Sequence, residues 1–457
     1  MNEDFRIERD AMGEMLVPTS VMYGAHTARA LENFPVSGFR FPRPFIRAMG
    51  LIKLHAARVN GRLKLLPMSI AHAIEEAARE LADGKLDEGF VVDVFQTGSG
   101  TSSHMNANEL IAFRARQLSG GPVHPNDDVN LGQSSNDVFP SALHVATLEQ
   151  MGRELIPALE ALRESLSKKS VAFLEVLKPG RTHLQDATPI RLGQELGGYA
   201  MQMERGIERL KQSQVELEEL ALGGTAVGTG LNAHPEFARL VIEGLCEETG
   251  LKLREARNHF EAQSARDACV QASGALKTIA VSVMKIANDI RWMGSGPRFG
   301  LGELKLPALQ PGSSIMPGKV NPVMCEVLMQ VGAQVIGNDA AITQGGMGGN
   351  FELNTMMPLI AHNLLQSITL LAKASLLFAR RCVDGLEADI ERCQSSVERS
   401  LTLCTALAPR IGYELAARIS QMAADSGRTI REVADEISGL DSATLDKLLD
   451  PRSQTGP

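Results

Sequence analysis

Aromatic residues are scarce in this 457-residue chain: one Trp, three Tyr and 15 Phe. Sheets draw on aromatic and β-branched side chains, whereas Ala, Leu, Met and Glu abound here and favour helices, so a mainly α protein is expected. A surplus of positive charge is also missing, since 46 basic against 54 acidic residues give a formal net charge of −8. With no Lys/Arg block to neutralise phosphates, nucleic acid is not expected as a partner. No stretch approaches the roughly 18 uninterrupted apolar residues of a membrane span. The start, Met1-Asn2-Glu3-Asp4-Phe5-Arg6, has no apolar leader core, so a cytoplasmic protein without a membrane partner is expected. Cys246, Cys269, Cys325, Cys382, Cys393 and Cys404 form no Cys-x-x-Cys pair and no cluster with histidine. They are expected as reduced thiols, which disfavours structural zinc and iron–sulfur chemistry.

Patterning divides the chain in three. Residues 1–136 alternate short helical patterns with Gly- and Pro-punctuated segments and read as a mixed, mostly helical, loop-rich domain. From residue 137 to about 388 the character is that of long amphipathic helices. Leu148, Met151, Leu155, Leu159, Leu162 and Leu166 recur at spacings of three and four, with Pro157 expected to bend that helix or mark its boundary. A second stripe, Leu196, Tyr199, Met203, Ile207, Leu210 and Leu217, holds for about six turns. Such stripes suit a helix bundle, within one chain or between chains. The polar stretch Leu386 to Arg399 reads as a boundary, after which residues 389–457 form a small helical domain with a short helix over Ile430–Ile437. The end, from Asp450 to Pro457, is expected to fray.

Four segments carry polar content that helix packing does not need. Gln96-Thr97-Gly98-Ser99-Gly100-Thr101-Ser102-Ser103 lacks the Gly-Lys-Ser/Thr ending of a nucleotide loop, but its glycines can free backbone amides for a carboxylate. In the second, His124-Pro125-Asn126-Asp127 leads to Ser134-Ser135-Asn136-Asp137, which suits a helix N-cap and, equally, an anion site at a helix start. Gly180-Arg181-Thr182-His183-Leu184-Gln185-Asp186 offers an imidazole, which alone would be an ordinary structural histidine. The fourth, Gly312-Ser313-Ser314-Ile315-Met316-Pro317-Gly318-Lys319-Val320-Asn321-Pro322, is too rich in Gly and Pro for a helix interior and should be an exposed loop, with a helix restarting near Glu326. Lys319 and Asn321 could hold an anionic group while a hydroxyl and a histidine exchange protons with a carbon skeleton.

Together these segments closely resemble the fumarase/aspartase superfamily, and within it the metal-independent class II fumarate hydratases. Gly312 to Pro322 matches the signature Gly-Ser-Ser-x-Met-Pro-x-Lys-x-Asn-Pro at every defined position. The likeness runs from Val17-Pro18 and Tyr23-Gly24-Ala25-His26-Thr27, through Gly223-Gly224-Thr225-Ala226-Val227-Gly228, to Ile411-Gly412-Tyr413. Thr97-Gly98-Ser99-Gly100-Thr101, Ser134-Ser135-Asn136-Asp137 and Pro317-Gly318-Lys319 have the wording of fumarases. Gly24-Ala25-His26-Thr27 leans towards aspartate ammonia-lyase, which stays as the alternative, with a catalytically silent structural relative behind it.

The resemblance implies a three-domain fold whose central helices build a twenty-helix core in a homotetramer, with each active site drawn from three subunits. It implies reversible addition of water to fumarate, a step of the tricarboxylic acid cycle, giving (S)-malate through an aci-carboxylate carbanion and without a cofactor. Ser99, Thr101, Ser134, Ser135 and Asn136 would hold the carboxylate where charge builds, and Thr182, Ser314, Lys319 and Asn321 would serve the rest of the substrate. Ser313 would take the C3 proton, helped by Lys319, while His183, paired with Glu326, would orient water. A reading in which His183 acts as the base through water stays open. A second dicarboxylate site at His124, Asn126 and Asp127 is doubtful, because Gly120-Gly121-Pro122-Val123 carries no basic residue. Ala408 stands where Asn is usual before Pro-x-Ile-Gly-Tyr.

Overall fold

A computed structural model describes residues 4–456 and shows a mainly helical protein. In chain order, a hairpin of β1 (Phe5–Asp10) and β2 (Gly13–Pro18) precedes helices α1 (Ala25–Asn33), α2 (Arg43–Arg62), α3 (Met68–Ala82), α4 (Thr101–Ser119) and α5 (Ser135–Gln150). Next come α6 (Ile156–Ala172), the hairpin β3 (Leu177–Thr182) and β4 (Gln185–Arg191), and α7 (Leu192–Leu217). The remaining long helices are α8 (Phe237–Thr249), α9 (His259–Ser264, a short one), α10 (Asp267–Met293), α11 (Val323–Gly346) and α12 (Met357–Arg381). After them α13 (Ile390–Glu398) opens a run of short helices. Among the described residues no helix is long and apolar enough to cross a membrane.

The chain forms two compact units, each discontinuous in sequence. The first takes the chain up to Pro157, Glu208–Ala280 and Ala333–Ala372; the second takes Ala158–Ile207, Val281–Gly332 and Lys373–Pro457. In the first unit the helices are longer than the short patterns expected of residues 1–136: α2 alone runs for 20 residues. Its apolar face hides Phe45, Met49, Ile52 and Leu54 from solvent. Phe41, Phe45 and Phe139 pack into a cluster with ring centroids 4.4–5.6 Å apart. The expected break near Pro157 takes another form: a π-turn over Met151–Leu155 joins α5 to α6, the widened turn absorbing the disruption just before the proline.

In the second unit a core of Leu177, Val397, Leu403, Leu407, Ile419, Val433 and Leu445 ties the β3 strand to the C-terminal helices. The polar stretch read as a boundary is largely helix α13, whose buried side is only Cys393 and Val397. Ile430–Ile437 is helical as expected, closed by a capping box of Thr429 and Glu432. The expected fraying does not hold over the described tail. Pro451–Gln454 form a 3₁₀ turn, Gln194 donates to the Thr455 carbonyl (2.7 Å) and Arg191 to its hydroxyl (3.0 Å). Pro457 lies outside the described residues.

Candidate active site

In the first unit, candidate site residues gather at the starts of α4 and α5. Gly100 caps α4 in a left-handed conformation (φ +75°), and a Cβ there would lie 2.1 Å from the Phe139 ring, so the aromatic cluster presses the loop into place only because glycine is present. Ser99 and Thr101 share a hydroxyl hydrogen bond of 2.8 Å at the partly open edge. Ser134 caps α5: its oxygen accepts the Asn136 amide (3.2 Å), and Asp137 accepts the Ser134 amide (2.9 Å). The cap reading and the anion-site reading of this segment are thus compatible, since the capped turn still leads with an amide-rich end.

Buried groups hold that turn from below. The fully buried Asp137 also accepts the amides of Gly223 (3.0 Å) and Thr225 (2.9 Å), while Asn136 donates to the Ala226 carbonyl (2.7 Å). Burial pushes the Asp137 carboxyl up to about 6 against the pull of these amides and of Lys53. Lys53, also buried, donates to Asn130 (3.0 Å) and Gln133 (2.9 Å), and desolvation holds its ammonium well below the ordinary lysine value. Ser135 Oγ lies 2.8 Å from Nδ1 of the buried His104. None of Lys53, His104 and Asp137 stands out in the sequence as a site residue. The signal was a polar side chain inside an otherwise well-packed helix, as at His104, three residues after Thr101.

The second unit carries the histidine turn and the serine loop singled out in the sequence. Thr182 ends β3 and pairs with Gln185 across a two-residue turn made by His183 and Leu184. Both turn residues have positive φ, 58° and 60°, which is the type I′ geometry that ordinarily calls for Asn-Gly. Placing His and Leu there stores strain at an exposed tip, as functional positions do. The hairpin is held along its length by buried charge: Arg181 bonds both oxygens of Glu303 (3.0 and 2.7 Å), and Lys178 pairs with Glu303 (3.2 Å) and Glu195 (2.7 Å).

The signature loop closes on itself. Gly312 donates its amide to the Lys319 carbonyl (2.7 Å), and the Asn321 side chain donates to the Gly312 carbonyl (2.7 Å). A Cβ on Gly312 would lie 2.7 Å from that Lys319 oxygen and 2.8 Å from the Asn321 nitrogen, so the closure requires glycine. Inside the loop Ser313 Oγ accepts two amides, from Ile315 (3.2 Å) and Met316 (3.0 Å). Two N–H groups aimed at one hydroxyl oxygen favour its anionic form over its neutral one. Ser314 and Lys319 are exposed, and among the described residues no partner engages the Lys319 ammonium. Glu326 sits in the first turn of α11, where the helix was expected to restart. No hydrogen bond or ion pair joins it to His183 among the described residues of one chain.

At the proposed second site, His124 Nδ1 accepts the amides of Asn126 (3.3 Å) and Asp127 (3.1 Å). The amides that would have held an anion alone are therefore already engaged. Among the described residues no group of three or more His, Cys, Asp or Glu side chains is placed to hold a metal ion.

A family model described as lyase matches residues 13–337, and one described as the fumarase C C-terminus matches residues 403–456. A fumarate hydratase class II of Mycobacterium tuberculosis is 54% identical over 98% of this chain and 95% of its own. The chain belongs to the class II fumarate hydratase family. Another member, from Halobacterium salinarum, is 54% identical over 100% of this chain and 98% of its own. Among solved structures, a class II fumarase from Schistosoma mansoni superposes with a TM-score of 0.97 at 38% identity, covering 99% of this chain and 100% of that one. A fumarate lyase:delta crystallin from Brucella melitensis in native form gives 0.91 at 45% identity, covering 98% and 100%. For a class II fumarate hydratase family member, the serine loop, the strained histidine turn and the amide-rich α5 start are the parts to which a chemical role can be given.

Proposed function

We propose that this protein catalyses the reversible hydration of fumarate to (S)-malate. The observation that carries the reading is the loop from Gly312 to Pro322, where a serine oxygen receives two backbone amides beside a lysine with no partner among the described residues, in a chain that fumarate hydratases match over nearly their whole length. In the malate-to-fumarate direction Ser313, as alkoxide, takes the C3 proton. The electron pair moves into the neighbouring carboxylate as an aci-carboxylate, and hydroxide leaves C2 from the opposite face, taking a proton from the water held by His183, which itself supplies the replacement proton, and departing as water. The costly species is the doubly charged aci-carboxylate, which preorganised donors stabilise most effectively in a water-poor pocket. Ser99, Thr101, Ser134, Ser135 and Asn136 are assigned to that carboxylate; Thr182, Lys319 and Asn321 to the other. His183, on its strained turn and paired with Glu326 of another chain of the assembly, orients the departing water.

The assembly we infer is a homotetramer in which three subunits contribute to each site, with residues 137–388 supplying its helical core. Helix α11 supports it. Its exposed face presents Val327, Gln330, Ala333, Ile336, Gly337 and Ala340 and no charged side chain, whereas a helix facing water carries charge on that side. Purified protein in chelator-treated buffer tests the activity: fumarate's absorbance should fall as malate forms, and no loss of absorbance would remove the reading.

A further inference from the structure

His104 lies in the first turn of α4 with no solvent exposure. Its Nδ1 is 2.8 Å from Ser135 Oγ, and its Nε2 has no partner among the described residues. An imidazole buried with one nitrogen unpaired carries a desolvation penalty that an apolar side chain of similar size would avoid. Nor is Ser135 needed as the cap of α5, since Ser134 already serves. Ser135 is thus the hydroxyl of this turn that a side chain from another helix aligns.

We infer that His104 is a positioning residue for the reaction, donating Nδ1–H to Ser135 Oγ so that the Ser135 O–H is left to point at the substrate carboxylate on which charge builds. The inference rests on the assignment of Ser135 to that carboxylate. A serine hydroxyl has one hydrogen and rotates freely to suit its surroundings; an N–H fixed to its lone pair removes that freedom before substrate arrives. Hydrogen bonds in series also polarise one another, so the Ser135 donor strengthens as the aci-carboxylate forms. Burial, with Lys53 and His26 nearby, holds the imidazole well below its ordinary value, which keeps it neutral with a single N–H to place.

The test uses two polar substitutions in the full-length, assembled protein. Asn carries its amide N–H close to the position of Nδ1, while Gln carries it near Nε2. His104→Gln should lower kcat about tenfold with KM changed less than about twofold, whereas His104→Asn should keep kcat within about threefold of the parent. In a Ser135→Ala background the Gln substitution should cost less than about twofold more, because the group it positions is gone. Equal losses for Asn and Gln, or a Gln loss of the same size with Ser135 absent, would show a merely structural histidine and overturn the inference. A parent enzyme active on fumarate with those outcomes leaves the hydratase reading intact; a parent with no activity on fumarate or malate sinks both.

Discussion

Ser313, the proposed base, is a weak one that its backbone can make serviceable. A free serine hydroxyl is too weak an acid to be an alkoxide near neutral pH, but two amides converge on this one and Lys319 lies in the same loop without a partner among the described residues. Ser313→Ala should therefore lower kcat by about 100-fold or more while KM moves less than about threefold, because the lost group acts on the transition state. Steady-state kinetics check this, and near-native turnover would hand the base to His183. Away from the site, His144 sets part of the acid sensitivity. Its Nδ1 donates to the Glu219 carbonyl (2.9 Å), and complete burial pushes it down from 6.5 to about 4. As pH falls from 6.5 towards 4 the unfolded chain binds a proton that the folded chain refuses, so stability is lost over that window. Asp137, raised from 3.8 to about 6, works in the opposite sense, taking up a proton on folding between those values. His144→Asn keeps a donor near Nδ1 and should shrink the stability difference between pH 7 and pH 5 by about 2 kcal/mol, read by urea unfolding at fixed protein concentration. An unchanged difference would mean that His144 is protonated in the folded state.

Among the elements, the signature loop and the histidine turn are shaped by backbone needs as much as by side chains. Gly312→Ala should reduce kcat by about 100-fold through loss of the loop's closure, yet shift Tm by no more than about 2 °C, because the loop is exposed and adds little buried surface. A large drop in Tm would show instead that the loop is part of the core. The long helices were legible because their stripes are dense: Leu196 to Leu217 fixes α7, which spans Leu192–Leu217. Weak stripes were not. α13 buries only Cys393 and Val397 on a charged background, and so reads as a linker. Pro157 announced a disturbance, but the π-turn that absorbs it begins six residues earlier, at a place set by packing rather than by the proline alone. The docked tail was hidden for a different reason: the partners of Thr455 are Arg191 and Gln194, more than 250 residues away. In the candidate site, Ser313, Lys319, His183 and the Ser134 cap stand in recognisable motifs. His104 and Lys53 do not, since a buried polar side chain in a helix gains meaning only from what lies across from it.

For the whole molecule, the proposed activity depends on the proposed assembly. Each unit holds part of the proposed constellation: Ser99, Thr101 and Ser134 to Asn136 in the first, His183, Ser313 and Lys319 in the second. If different subunits supply these parts, two inactive variants can complement each other. Asn136→Ala and Ser313→Ala chains, dissociated together and reassembled, should regain up to about a quarter of native activity, through sites that draw an intact residue from each parent. No recovery from tetramers shown to be mixed would place both residues of every site on one chain. The proposed assembly rests on the family resemblance and only secondarily on the stripes, which fit packing inside a chain as well as between chains. The uncharged exposed face of α11 adds a physical reason for the second.

The most direct measurement of the central claim is ultraviolet absorbance of the purified protein given (S)-malate and, separately, L-aspartate in chelator-treated buffer. Fumarate's conjugated double bond should appear from malate and not from aspartate. Absorbance rising with aspartate alone would assign the site to ammonia elimination, and silence with both would contradict the account altogether.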